Sequence, residues 1–157
     1  SLSDLAKYVQ ENPDKIAFGL NAEFYARPDG YRPLQKAYDF RFPTNKIKKM
    51  DSGLVYKALK DKEVDVSMGF ATDGRIEAFK FVTLEDDKNF FPVYNPAPTV
   101  RKEIADKYVE LQKIFAALGA KLNTEAMTKL NYAVDIEHKR AAEVAKEWLK
   151  KEGLIAG

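Results

Sequence analysis

The 157-residue sequence contains no cysteine and one histidine, His138. The first absence excludes disulfides, thiolate metal sites and a cysteine nucleophile. The second excludes every multi-histidine metal site and leaves little ground for a Ser-His-Asp triad. No apolar run approaches the ~18 residues that a membrane span needs. A glycine-rich phosphate loop is missing too, since Gly69 and Gly74 fit neither spacing. The chain also lacks an excess of either charge, with 26 basic residues facing 24 acidic ones for a net +2. That balance argues against a dedicated nucleic-acid or polybasic membrane protein. The chain opens at Ser1 with no leader pattern and no Met, which leaves removal of an upstream segment open.

What is present is an ordinary globular composition, 45% apolar and 32% charged. The length is that of one domain, enough to bury roughly two-thirds of the unfolded chain's surface. Composition is uneven along the chain. Residues 1–100 hold 15 of the 19 aromatics and all 7 prolines, and the remainder reads as nearly pure helix. Both parts are close to neutral, so the change is one of structure and not of charge.

Ser3-Asp4-Leu5-Ala6 opens a short helix with Ser3 as its N-cap, and Asn12-Pro13 ends it. Residues 16–20 read as a buried strand. Pro28 to Tyr38 reads as a helix with Tyr31, Leu34 and Tyr38 along one face. A strand broken by Pro43 falls in 40–50. Asp51 then caps an amphipathic helix whose Leu54, Val55, Ala58 and Leu59 point inward. Strands follow at 64–68 and 79–84, and the stretch 94–100, with Pro96 and Pro98, is an extended connection or edge. Helices are expected at 101–118, 124–134 and 140–152, with Gly153 as the last helix's terminal glycine. Strand–helix alternation over 16–84 predicts an α/β fold, a βαβ-layered lobe followed by a helical C-terminal segment.

Ligands in such sheets bind at the carboxyl ends of the strands, which points to three loops. Residues 21–30 carry Arg27, whose planar donor fork suits a carboxylate. Its spacing equally allows a pair with Asp29 or Glu23 that only fixes the loop. Residues 69–75 carry Phe70, of a type usually found in a core, and Asp73, which suits a turn or a helix cap. Residues 90–98 place Tyr94 between prolines, in a stiff segment able to hold an aromatic face still. Stiff aromatic faces hold quaternary ammonium groups by cation–π attraction of ~1–2 kcal/mol per desolvated ring.

Other candidates carry less. Glu85-Asp86-Asp87 lacks the spaced ligands and glycine of a calcium loop and reads as a solvated turn. His138, between Glu137 and Lys139, reads as exposed. Lys46, Lys48 and Lys49 form a small basic patch without the neighbours that nucleic acid would require. Trp148, with Val144, Ala145 and Leu149, reads as helical packing.

Taken in order, several segments resemble one family. They are Phe24-Tyr25-Ala26-Arg27-Pro28-Asp29-Gly30, Met50-Asp51-Ser52-Gly53-Leu54, Ala71-Thr72-Asp73-Gly74-Arg75-Ile76, Leu84-Glu85-Asp86-Asp87-Lys88 and Leu130-Asn131-Tyr132. Their order is similar to that of substrate-binding proteins of ATP-binding-cassette importers for glycine betaine, choline and related osmoprotectants. The resemblance covers nearly the whole chain. It implies a type II periplasmic-binding-protein fold, a two-lobed clamp that closes on a quaternary ammonium solute. In that family an aromatic cage holds the cation, and an arginine with other donors holds any carboxylate.

Carried over, Arg27 corresponds to the anion-binding arginine, Phe70 stands where the family has a cage tyrosine, and Tyr94 matches a second cage tyrosine. Tyr25 and Thr72 complete the expected ligand-binding set. Phe70 keeps the π face and loses a hydroxyl, so a hydrogen bond or a ligand preference is expected to change. The resemblance also implies a first lobe ahead of this segment. Residues 1–94 then correspond to the second lobe, and 95–157 to the crossover and helices that return to the first. Apolar positions such as Ile104, Leu111, Ile114, Phe115 and Leu118 would need another cover. The expectations are a fragment, a first lobe supplied by another chain, a paired or swapped homo-oligomer, or helices repacked on one lobe.

The resemblance further implies a permease subunit as partner, an extracytoplasmic location at the membrane, no cofactor and no nucleic acid. An enzyme would need a perturbed acid–base pair in a cleft, and no such pair stands out. A competing expectation, of a different class, is an isolated or engineered single lobe that acts as a structural or interaction domain without ligand affinity.

Overall fold

The computed structural model describes residues 1–156. Gly157, the last residue of the expected C-terminal segment, lies outside the described residues. The chain forms two compact units, residues 1–70 with 81–92 and residues 71–80 with 93–157. The family lobes inferred above divide at residue 94, whereas compactness assigns 71–80 to the C-terminal helices, because the helix in that stretch packs on one of them.

The first unit is built on a three-stranded parallel sheet. Strand β1 (Phe18–Leu20) lies between β2 (Ile47–Lys49) and β3 (Val66–Ser67), with Phe18 opposite both Ile47 and Val66. Helix α1 (Leu2–Glu11) precedes β1. Helices α2 (Ala22–Ala26) and α3 (Tyr31–Tyr38) cross from β1 to β2, and α4 (Ser52–Lys60) crosses from β2 to β3. Parallel strands require such crossovers, which explains the alternation in the sequence.

The core of this unit is aromatic. Phe18 stacks on Tyr31 and Phe42 at centroid distances of 5.3 and 5.2 Å. Ala6 and Val9 of α1, Leu20 of β1, and Leu34 and Tyr38 of α3 close around them. The face predicted from Tyr31, Leu34 and Tyr38 is the face that α3 buries. In α4 the prediction needs amending. Val55 and Ala58 are buried, but Leu54 is 53% exposed and Tyr56 takes the inner place. The Tyr56 hydroxyl accepts the N–H of Phe70 at 2.8 Å, so a buried phenol is satisfied where a leucine would leave that N–H without this partner.

The N-cap of α1 is Ser1, not Ser3. Ser1 and Asp4 form a reciprocal capping box, which frees the Ser3 hydroxyl to donate to Asp87. The strand expected at 79–84 is absent. Phe79 ends a helix, Lys80 turns with φ 56°, and residues 81–84 pair with no strand among the described residues. Val82, an apolar residue that made this stretch read as a strand, is 85% exposed.

The second unit is helical. Helix α5 (Gly74–Ala78) packs on α8 (Thr124–Asp135), which packs on α9 (Ala141–Lys151). A Cβ at Gly74 would stand 2.5 Å from the Cα of Tyr132, so α5 reaches α8 only because residue 74 has no side chain. The helix expected over 101–118 is divided into α6 (Lys102–Lys107) and α7 (Leu111–Gly119). The break falls at Tyr108-Val109, an aromatic and a β-branched residue of modest helix propensity. Gly153, with φ 71°, follows α9. The amides of Gly153 and Leu154 return to the carbonyls of Lys150 and Leu149 as a terminal glycine requires. Val144 is the only buried apolar side chain from 93 onward among the described residues. Val109 is 71% and Ile114 54% exposed.

Candidate functional site

Asn21 turns the end of β1 into α2, its side-chain oxygen accepting the N–H of Phe24 at 2.7 Å while its amide donates to the Ser52 hydroxyl. The loop expected over 21–30 thus contains a short helix, for which the Asn N-cap is the local signal. Arg27 ends that helix. Its Nε and Nη2 each donate to a different oxygen of Asp29, both at 2.8 Å, and Glu23 lies 3.9 Å away. Of the two arrangements the sequence allowed for Arg27, this structure adopts the intramolecular one. The bond from Arg27 holds the Asp29 carboxyl below its usual range.

Tyr25 stacks on Tyr31 at 5.9 Å, and the Lys49 ammonium stands 4.3 Å from the Tyr25 ring centroid. A cation of the chain itself therefore sits on a ring of the expected ligand-binding set. Phe70, also in the first unit, is 54% exposed and carried on the backbone bond to Tyr56. Large aromatic rings elsewhere in this unit, such as Phe18, Tyr31 and Phe42, are buried.

Thr72 and Tyr94 belong to the second unit. The Thr72 carbonyl accepts from the Asn131 side-chain amide at 2.8 Å. Asp73 caps α5 by accepting the Arg75 N–H at 3.0 Å. Its two oxygens also accept Nε and Nη2 of the same arginine at 2.8 and 2.7 Å. Asp73 is thus a cap, one of the roles read from its sequence context. Tyr94 is 63% exposed on an irregular stretch without ladder hydrogen bonds.

Sequence reasoning missed the role of the acidic cluster. Asp86 is no solvated turn residue, because its carboxylate accepts the Tyr38 hydroxyl and the amides of Phe90 and Phe91 at 3.0 and 2.8 Å. Asp87 accepts from both the hydroxyl and the amide of Ser3, and the Glu85 carbonyl accepts from Leu2. The bonds from Tyr38, Ser3 and Leu2 span more than forty residues of sequence, and no local pattern encodes them. His138 is exposed, as expected. Among the described residues no cluster of His, Asp and Glu could hold a metal ion, and no helix is long and apolar enough to cross a membrane.

Residues 1–151 match the family described as the substrate binding domain of ABC-type glycine betaine transport systems. A glycine-betaine-binding protein of Pseudomonas aeruginosa is 39% identical over 99% of this chain and 51% of its own length. A carnitine transport binding protein, OpuCC, of Listeria monocytogenes is 39% identical over all of this chain and 49% of its own length. Among solved structures, a glycine betaine/carnitine/choline ABC transporter superposes with a TM-score of 0.81 at 37% identity. That match covers 98% of this chain and 54% of the other. The chain thus spans about half the length of the relatives it matches.

Proposed function

The chain belongs to the family of substrate-binding domains of ABC-type glycine betaine transport systems, and from that premise we propose that it is a solute-binding module for quaternary ammonium osmolytes. In this reading Phe70, Tyr94 and Tyr25 offer π faces to the cation, and Arg27 and Thr72 offer donors to a carboxylate. The observation that carries it is the exposure of Phe70 and Tyr94, 54% and 63% accessible, against 44%, 41% and 37% for Tyr8, Tyr108 and Phe91, the other exposed rings. An exposed aromatic held on a defined backbone position forfeits burial and gains a face for a cation.

The wider assignments follow from the same reading. The module works outside the cytoplasm, hands its solute to a permease subunit and carries out no chemistry. The apolar side chains left open at Val109, between α6 and α7, and at Ile114 of α7 are covered by a first lobe or by a second copy of this chain. A monodisperse 17.8 kDa monomer that fails to bind a hydrophobic dye would overturn that last point.

A second reading, a lobe without ligand affinity, draws support from Arg27, whose fork is engaged by Asp29. Calorimetric titration with glycine betaine, carnitine, choline and proline betaine separates the two. Micromolar binding that is lost in Arg27→Ala and Tyr94→Ala supports the solute-binding module and its site. Binding unchanged in both variants would refute the residue assignment, and no heat with any ligand would favour the bare lobe.

A further inference from the structure

Charge in this chain is segregated. Residues 31–50 contain six basic side chains and one acidic one, in a chain whose net charge is only +2, so the remainder is net negative. Among the described residues Arg32, Lys36, Arg41, Lys46 and Lys48 form no ion pair, while ion pairs are frequent elsewhere. Three of them line one open groove of about 450 Å³ on the first unit, beside α3 and β2.

The rest of the groove's polar lining is Gln35, Thr44 and two tyrosines. No carboxylate lines it, and the segment's one acid, Asp39, lies outside. The hydroxyl of Tyr31, another lining residue, is buried without a partner in hydrogen-bonding geometry. Burial pushes the Tyr31 phenol up to about 12, against the smaller opposing pull of the Phe42 amide and the Arg41 charge. Three cations that face no acid repel one another, and this arrangement is relieved by an anion.

We infer that this groove binds a phosphate group, with Arg32, Arg41 and Lys36 as its cationic donors. Two guanidinium forks and an ammonium exceed what one carboxylate can use. They match the three oxygens and the double charge of a phosphate monoester. The Thr44 hydroxyl and Gln35 amide supply neutral donors at the rim. A free phosphate compound and a phospholipid headgroup share this chemistry.

The experiment has two arms, both on the full chain. In one, inorganic phosphate and glycerol 3-phosphate are titrated while amide shifts are followed by NMR. In the other, the protein is sedimented with phosphatidic acid vesicles and with phosphatidylcholine vesicles. Saturable shifts at 32–44 identify a free phosphate compound, and sedimentation with the anionic vesicles alone identifies a headgroup. In the arm that responds, the triple change Arg32→Gln, Lys36→Gln and Arg41→Gln is expected to lower affinity at least tenfold. Lys129→Gln, at a lysine paired with Glu125, leaves affinity unchanged, and affinity falls steeply between 50 and 200 mM salt. These three positions are exposed, so a native circular dichroism spectrum is expected for the variant. Silence in both arms, or equal binding by the triple variant, overturns the proposal.

Discussion

The hydroxyl of Tyr38 donates to the Asp86 carboxylate and accepts the backbone N–H of Lys88 at 2.8 Å. It thereby ties the last turn of α3 to a loop fifty residues on. Burial and the Asp86 bond push the Tyr38 phenol up to about 12. For Asp86, burial alone would raise the carboxyl, but bonds from Tyr38, Phe91 and Phe90 prevail and leave it below the usual value.

Each shift has its own pH window. A carboxyl with a lowered folded pKa adds stability above its unfolded value of about 3.9, and that stability is lost as pH falls through the lower folded value. A phenol with a raised folded pKa adds stability below about 10, lost as pH climbs toward its folded value. Melting temperature is therefore expected to be level across neutral pH and to fall at both extremes. Asp86→Asn should flatten the acid limb and cost about 1–3 kcal/mol, since two amides and a phenol lose a charged acceptor. Thermal melts of both proteins from acid to alkaline pH check this, and an unchanged acid limb would count against it.

Tyr31 offers the opposite case. Its hydroxyl is buried without an aligned partner, so Tyr31→Phe is expected to leave stability within about 0.5 kcal/mol of wild type or to raise it slightly. Phe42→Ala, in the same stack, should cost about 3–5 kcal/mol. Urea unfolding of the pair measures the difference, and a large loss in Tyr31→Phe would mean that the hydroxyl is satisfied.

These contrasts show what was legible. The inner face of α3, the Asp73 cap and the Gly153 terminus depend on residues within a turn or two of one another, and all three are written locally. The Arg27–Asp29 pair was readable as one of two alternatives for the same reason, at a separation of two. Tyr38–Asp86 and Ser3–Asp87 join distant segments, so their carboxylates looked like solvent-facing charges. Leu54 and Tyr56 exchanged places because burial was decided by the Phe70 amide, fourteen residues away. The stretch 79–84 has strand composition without a neighbouring strand, and composition cannot supply the ladder.

Gly74→Ala is expected to damage the second unit selectively. The added methyl meets backbone atoms of Tyr132 at 2.5 and 2.6 Å, which cannot rotate aside. Separation of α5 from α8 should cost about 1–3 kcal/mol, as for other overpacked contacts. Hydrogen exchange would register it as faster exchange in α8 with α3 unaffected; equal protection would show that the helices adjust.

Phe70 tests the aromatic part of the proposed function. Removal of one exposed ring in Phe70→Ala should weaken a quaternary ammonium ligand by about 1–2 kcal/mol, or 5- to 30-fold. Phe70→Tyr retains the face and should keep the affinity within a few-fold. Calorimetry on both variants with choline decides, because choline has no carboxylate to mask the loss. Equal binding by Phe70→Ala would remove this ring from the site.

Asp29 tests the arginine. In the structure its carboxylate occupies the fork that a ligand carboxylate would need, so the two compete for Arg27. If Arg27 binds the solute's anionic end, Asp29→Asn lowers the strength of the internal competitor, and affinity for glycine betaine should rise severalfold. Choline, which lacks the anion, should bind as before. The ratio of the two affinities cancels any general effect of the change on folding or on the rings. A rise confined to glycine betaine therefore assigns Arg27 to the ligand, whereas a constant ratio assigns it to the loop that Asp29 closes.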